Sequence, residues 1–131
     1  MQKLFEAASR ALQNAHAPYS KCRVGAAIRL SNGAIFSGCN VENASYGATI
    51  CAERNAIFSA VAASGKIEIA EVLVLVEADE AWPPCGMCRQ VISEFAAPHC
   101  VVHCVTTGGK TNSRRFDELF PGAFGREFLN A

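Results

Sequence analysis

Two short segments carry the residue types best suited to metal chemistry, CAER at positions 51–54 and PCGMCR at positions 84–89. Cys85 and Cys88 are spaced so that their thiolates can converge on one tetrahedral ion from a tight turn or a first helical turn. Cys51 is predicted to lie in the first turn of another helix, where free N–H groups and the positive end of the helix dipole stabilise a thiolate. The three cysteines therefore predict a zinc site at which two helix starts meet.

A carboxylate and two arginines accompany these cysteines. Three protein ligands leave the fourth corner of a tetrahedral zinc for water, as in catalytic sites. Glu53 is too close in sequence to Cys51 to be a natural further ligand, yet it can lie over that open corner. There it can take a proton from an attacking water, deliver it to a ring nitrogen and later protonate a leaving amine. Arg54 and Arg89 are predicted to donate hydrogen bonds to the sulfurs and offset their negative charge.

Other interpretations of the cysteines remain open at this point. A Cys-x-x-Cys pair is also consistent with a redox pair or with two incidental thiols. A structural zinc module that mediates interactions would need a fourth protein ligand, and His16, His99 and His103 are the candidates. None has matching spacing, and His103 alternates within an apolar strand as an ordinary core or edge histidine does. Such a module has no use for Glu53, which favours a catalytic site.

The composition limits the class of protein. The chain has 131 residues, 50% hydrophobic and 18% charged, with a formal net charge of +0, so we expect one domain over residues 1–131 and no nucleic-acid partner. Its apolar runs are too short to span a bilayer and its start is amphipathic, so we expect a cytoplasmic protein without membrane contact. Seven cysteines without a secretory signal indicate metal ligation and free thiols, not a disulfide framework.

The hydrophobic pattern predicts the elements that position these residues. Helices are expected over 2–15, 49–63 and 85–96, with Thr49 as a candidate cap, and one helical turn before Pro121. Strands are expected over 23–30, 34–40, 71–78 and 100–107. The strand over 71–78 is short and rich in Val and Leu, and it should be covered on both faces. Strands alternating with helices are typical of an α/β domain with one mixed sheet in two or three layers.

The motifs resemble those of a known family. CAE followed by PCGMC resembles the Cys-x-Glu and Pro-Cys-x-x-Cys signature of zinc nucleoside and nucleobase deaminases. The segments APYSKCRVGAAI, SGCNVENASYGATICAERNAIF and PCGMCRQVISEF are similar to the small homo-oligomeric cytidine deaminases, over nearly all of residues 17–124. The resemblance implies hydrolytic deamination of cytidine and 2'-deoxycytidine in pyrimidine salvage. It also implies one zinc per subunit and a three-layer fold with a central mixed five-stranded sheet flanked by helices.

The resemblance also implies roles for individual residues. The three cysteines would bind zinc, and Glu53 would be the general acid and base. Asn40 and Glu42 match positions that hydrogen-bond the ribose 3'-hydroxyl, and a sugar does require both donors and acceptors. Backbone groups around Ala52 and Pro83 would read the edge of the base and receive the departing ammonia.

Two further positions imply assembly, and two depart from the pattern. Tyr46 and Phe124 match residues that enter a neighbouring subunit's site, which implies a homotetramer with shared active sites. Cys22 stands where a phenylalanine usually packs against the pyrimidine, and Pro83 replaces a more common serine. Losing that stacking would weaken base binding by about 0.5–1.5 kcal/mol, unless another ring fills the gap or the pocket suits a larger base. A deaminase of a modified cytosine nucleoside or of a blasticidin-type aminonucleoside is therefore an alternative.

Overall fold

In the computed structural model, which describes residues 1–129, five strands form one mixed sheet. The strands are β1 (Val24–Leu30), β2 (Ile35–Cys39), β3 (Ile69–Val76), β4 (Ala96–Thr106) and β5 (Thr111–Arg115). Their order is β2-β1-β3-β4-β5; β3 and β4 pair in parallel, and the other neighbouring pairs are antiparallel. The last two residues of the predicted domain, 130 and 131, lie outside the described residues.

Four helices cover the two faces of this sheet. They are α1 (Gln2–Leu12), α2 (Ala52–Ser64), α3 (Gly86–Phe95) and α4 (Phe116–Leu119), with short 3-10 turns at Tyr46–Ala48 and Arg126–Phe128. Successive side chains of β3 point to opposite faces, so Val72 and Val74 join the core beneath α2 and α3, while Leu73 and Leu75 pack against α1. The predicted three-layer α/β fold, and the burial of this strand on both faces, are confirmed.

Three local predictions differ from the structure. Helix α1 ends at Leu12, earlier than expected, because the chain turns there and His16 then pairs with Val41 in a short bridge. Helix α2 begins at Ala52, and its cap residue is Cys51, not Thr49. The local pattern missed β5, since its residues are polar and exposed and hydrogen bonding to β4 defines the strand.

The topology brings the predicted site residues to one edge of the sheet. Both β2 and β3 are antiparallel to β1, so they run parallel to each other and their carboxyl ends lie at the same edge. Helix α2 follows β2 and helix α3 follows β3, so both helices start at this edge. Gly38 lets α2 lie directly on β2, because a Cβ at this position would come within 2.5 Å of the Ala56 backbone nitrogen.

None of the helices within residues 1–129 has the length and apolar character needed to cross a bilayer.

Candidate active site

Three cysteines meet where α2 and α3 begin. Cys51 is the N-cap residue of α2, Cys85 is the N-cap residue of α3, and Cys88 lies in the first turn of α3. Their Sγ atoms all lie within 4.8 Å of one another, and those of Cys51 and Cys85 are 3.8 Å apart. Zn–S bonds of about 2.3 Å in a tetrahedral site place two sulfurs about 3.8 Å apart. The three thiols therefore lie close enough together to hold one zinc ion.

The protonation of these thiols reflects their mutual contacts. The hydrogen bond from Cys88 lowers the pKa of the Cys51 thiol to about 5; burial opposes this shift and Arg54 adds to it. The same hydrogen bond raises the pKa of Cys88, and burial raises it further. The pair thus favours a thiolate at Cys51, which is the form that binds a metal.

Arg54 lies against this sulfur cluster. It is 8% exposed, and its Nη2 donates to Cys51 Sγ at 3.4 Å. Its Nε is buried and has no hydrogen-bond partner within residues 1–129. A buried cation with an unused donor suits a metal centre that three thiolates would make negative.

Arg89 does not occupy the position predicted for it. Its Nε donates to the Pro84 carbonyl at 2.8 Å and its Nη1 to the Leu119 carbonyl at 2.7 Å. The prediction that it donates to the cysteine sulfurs is therefore wrong. The Arg89 side chain hydrogen-bonds these two carbonyls because no helical amide donates to them. It thereby connects the loop before α3 to the end of α4.

Glu53 is buried beside the cysteines, with 4% of its surface exposed. Burial raises its pKa to about 7; a hydrogen bond from its own backbone amide opposes this shift, and the negative charge of Cys51 adds to it. A carboxyl group with a pKa near neutrality both releases and accepts protons readily under physiological conditions. This environment differs from that of an ordinary surface glutamate on a helix.

A cavity of about 280 Å³ adjoins the cysteines and Glu53. The predicted residues that line it are Cys22, Asn40, Glu42, Ala52, Glu53 and Pro83, together with Cys51 and Cys85. Tyr46 and Phe124 do not line it; they are 76% and 55% exposed and pack against Tyr19 and Phe128 respectively. Within the described residues, the chain by itself thus brings most of the predicted site residues together, but neither these two aromatic residues nor Arg89.

Asn40 and Glu42 stabilise the loops around the cavity as well as lining it. Asn40 accepts from the Val24 amide and donates to the Cys22 carbonyl, both at 2.9 Å. Glu42 Oε1 accepts from the amides of Tyr19 and Ser20 at 3.0 Å, and the Ser20 hydroxyl donates to Oε2. Chiefly because of that hydroxyl, the pKa of Glu42 lies below its usual value. Each side chain keeps unused hydrogen-bonding capacity for a ligand.

Five other residues line the cavity and were not predicted to do so. They are Ser20, Val24, Thr49, Val74 and Trp82. Thr49 was interpreted as a helix cap, but its hydroxyl instead accepts from the Asn43 amide at 3.3 Å. For Trp82, the available signal was its position just before the two prolines that lead into Cys85.

A three-thiolate metal site next to a buried carboxyl, on a three-layer α/β fold, defines a zinc-dependent enzyme that activates water. Residues 1–104 match the family model of the cytidine and deoxycytidylate deaminase zinc-binding region. The chain belongs to this family.

Several known proteins are similar over most of the chain. Cytidine deaminase from Halalkalibacterium halodurans is 39% identical over 129 residues, which are 98% of this chain and 97% of the relative. The crystal structure of cytidine deaminase from Burkholderia pseudomallei aligns with a TM-score of 0.87 and 43% identity, covering 94% of this chain and 98% of that chain. Blasticidin-S deaminase from Bacillus cereus is 36% identical over 110 residues, 78% of this chain and 76% of the relative.

Proposed function

We propose that this chain hydrolyses cytidine and 2'-deoxycytidine to uridine and 2'-deoxyuridine and releases ammonia. One observation carries the proposal: the buried Glu53 lines the same cavity as Cys51 and Cys85, and the polar residues Asn40 and Glu42 line it too. The cavity therefore offers reactive groups for a base and hydrogen-bonding groups for a sugar. The similar cytidine deaminases support the same substrate.

Zinc held by Cys51, Cys85 and Cys88 supplies Lewis-acid chemistry that makes water a nucleophile at neutral pH. As the water oxygen bonds to C4 of the base, Glu53 takes one of its protons and delivers it to N3. Glu53 then takes the remaining hydroxyl proton and delivers it to the amine on C4. The C4–N bond breaks, ammonia leaves, and C4 becomes the carbonyl carbon of the uracil ring. Glu53 ends in the state in which it began, as a catalyst must.

Other residues have supporting roles in this proposal. Arg54 offsets the charge of the thiolates through its contact with Cys51. Backbone groups of Ala52 and Pro83, which line the cavity, hydrogen-bond the edge of the base and the departing ammonia. Arg89 holds the loop that carries Pro84 and Cys85 through its hydrogen bond to the Pro84 carbonyl.

A structural zinc module is disfavoured by the ligand set. Such a site is closed by four protein ligands, whereas the metal-binding group found within residues 1–129 consists of Cys51, Cys85 and Cys88. His103 is not available as a zinc ligand, because its ring nitrogens form hydrogen bonds with Glu71 at 2.9 Å and Ser113 at 2.7 Å.

The direct test is a substrate panel with zinc-loaded enzyme. We expect ammonia release, and a fall in ultraviolet absorbance, with cytidine and 2'-deoxycytidine at kcat/KM values far above that for blasticidin S. The second candidate is a deaminase of a modified cytosine or blasticidin-type nucleoside, favoured by the thiol at Cys22 and by the similarity to blasticidin-S deaminase. A reversed order of kcat/KM would support that candidate, and no ammonia from any cytosine nucleoside would reject the proposal.

Replacing Glu42 by glutamine should specifically weaken binding of the ribose. A hydrogen bond to a charged group contributes about 1.5–3 kcal/mol, so we expect KM for cytidine to rise about tenfold or more with a smaller change in kcat. The same variant should show little change with 3'-deoxycytidine, which lacks the hydroxyl that Glu42 is proposed to bind. Equal losses with both nucleosides would mean that Glu42 acts only by holding Tyr19 and Ser20.

Exposed apolar residues support the homotetramer with shared active sites. Tyr46, Phe124, Phe128 and Leu129 are between 55% and 76% exposed, and Phe124 stacks on Phe128. Exposed apolar side chains that form a patch mark interaction surfaces. In the proposed assembly, Tyr46 and Phe124 enter a neighbouring subunit's site. Sedimentation equilibrium tests this, with four times the chain mass as the expected result and a monomer as the contradicting one.

The proposed enzyme is a single domain that acts on free nucleosides in the cytoplasm. Residues 1–131 act as one catalytic domain that takes a free nucleoside and no nucleic acid, in keeping with its net charge of +0. None of the seven cysteines, all within residues 1–129, forms a disulfide, which fits the reducing cytoplasm. The reaction there would belong to pyrimidine salvage, and growth of a pyrimidine-requiring, deaminase-deficient bacterium on cytidine would test that assignment.

A further inference from the structure

Trp82 is the one aromatic residue that lines the cavity within the described part of the chain. The other apolar lining comes from small aliphatic groups and thiols, among them Val24 and Val74. Cys22 also lies there, but its Sγ is held 3.7 Å from the Glu77 carbonyl and offers no flat surface. Within one chain, a planar base that enters this cavity therefore has the Trp82 indole to stack on.

The backbone around Trp82 is held in place, whereas its ring forms no aromatic pair or hydrogen bond within residues 1–129. Ala81 packs against the hydrophobic core, and Pro83 and the buried Pro84 restrict the segment that follows. The Trp82 side chain is 45% exposed and forms none of the aromatic pairs found within residues 1–129. Its indole N–H likewise has no hydrogen-bond acceptor among those residues. An aromatic ring presented in this way at a cavity is a preformed surface for a planar ligand.

We propose that Trp82 is the specificity-determining aromatic contact that the chain supplies to its own site, stacking on the pyrimidine ring of the substrate. This inference rests on the proposed function and adds to it the residue that selects a planar base. The neighbouring Glu53 and the three cysteines handle the reacting atoms, so Trp82 contributes to ground-state binding. Removing it should therefore raise KM about 3- to 10-fold, the range that an aromatic pair supports, and leave kcat within about twofold.

Comparing Trp82→Ala with Trp82→Phe tests whether an aromatic ring at this position is sufficient for binding. We expect KM for cytidine to rise 3- to 10-fold in Trp82→Ala and to stay within about twofold of the natural enzyme in Trp82→Phe. Since the side chain is half-exposed, both variants should keep one zinc per chain and an unchanged melting temperature. If KM of Trp82→Ala stays within twofold while the natural enzyme deaminates cytidine, the stacking role is wrong and the proposed function stands.

Two inhibitors provide a readout that is independent of turnover. Uridine is planar, whereas 5,6-dihydrouridine has similar hydrogen-bonding groups on a puckered ring. Trp82→Ala should raise the inhibition constant of uridine 3- to 10-fold and that of 5,6-dihydrouridine less than twofold. Because Trp82 is the single tryptophan of the chain, saturable quenching of its fluorescence by uridine should accompany binding to the natural enzyme. Equal losses for both inhibitors, or no change in fluorescence, would overturn the inference.

Discussion

Replacing Glu53 by glutamine is expected to lower kcat for cytidine by about 10²- to 10⁴-fold, the usual contribution of a positioned acid–base group. Glutamine has nearly the same shape but cannot carry a proton between water, N3 and the leaving amine. The buried position of Glu53, with 4% of its surface exposed, excludes bulk water as a ready substitute. The measurement is steady-state ammonia release by protein whose zinc content has been determined.

Zinc content is what makes this result interpretable. The Glu53→Gln enzyme should keep one zinc per chain, because the carboxylate is not among the three clustered ligands. The matched control is Glu6→Gln, which makes the same change at an exposed position on α1 and should leave activity unchanged. A zinc-loaded Glu53→Gln enzyme with more than a tenth of normal kcat would show that another group carries the proton.

Replacing Cys88 by serine is expected to abolish stable zinc binding and, with it, deamination. A hydroxyl at this position cannot replace a thiolate, and two remaining sulfurs hold zinc far more weakly than three. The loss of affinity should exceed the roughly 10- to 100-fold that follows removal of an outer hydrogen-bond partner. Metal analysis after dialysis against a chelator should fall from one zinc per chain to less than about a tenth, and ammonia release should fall in proportion.

Two further variants test whether misfolding, and not loss of a ligand, explains the loss of zinc. Cys88 is fully buried, so its replacement by serine also costs folding stability through an unsatisfied hydroxyl. Cys51→Ser changes a half-buried ligand and should lose zinc equally, whereas Cys39→Ser changes a half-buried thiol outside the cluster and should retain it. Full zinc and activity in both ligand variants would remove these cysteines from the site.

Much of this site was predictable because its chemistry is local. Cys51 and Glu53 are two residues apart, and Cys85 and Cys88 are three apart, so each pair is positioned by one helix start. Such short spacings constrain geometry whatever the remainder of the chain does. The alternating strands and helices likewise predicted an α/β fold, since hydrophobic periodicity reports which faces are buried.

Side-chain direction was less predictable. Arg54 and Arg89 each follow a key residue of a helix start, yet one reaches Cys51 and the other reaches backbone carbonyls. Arg54 lies three residues after its helix cap and Arg89 four residues after its own, and α4 offers Arg89 a terminal carbonyl at Leu119. Asn40 similarly uses part of the hydrogen-bonding capacity of its side-chain amide on backbone groups of Val24 and Cys22.

By itself, then, the sequence determined the two helix starts, the residues that can hold zinc and move a proton, and the family to which the chain belongs. Only the tertiary structure decided which end of the sheet carries the two helix starts, which residues form β5, and that Trp82 lines the same cavity as Cys22. The physical reason is the distance along the chain over which each interaction acts. Capping and ligand spacing act within one helical turn, whereas the cavity depends on strand order and on contacts between segments distant along the chain.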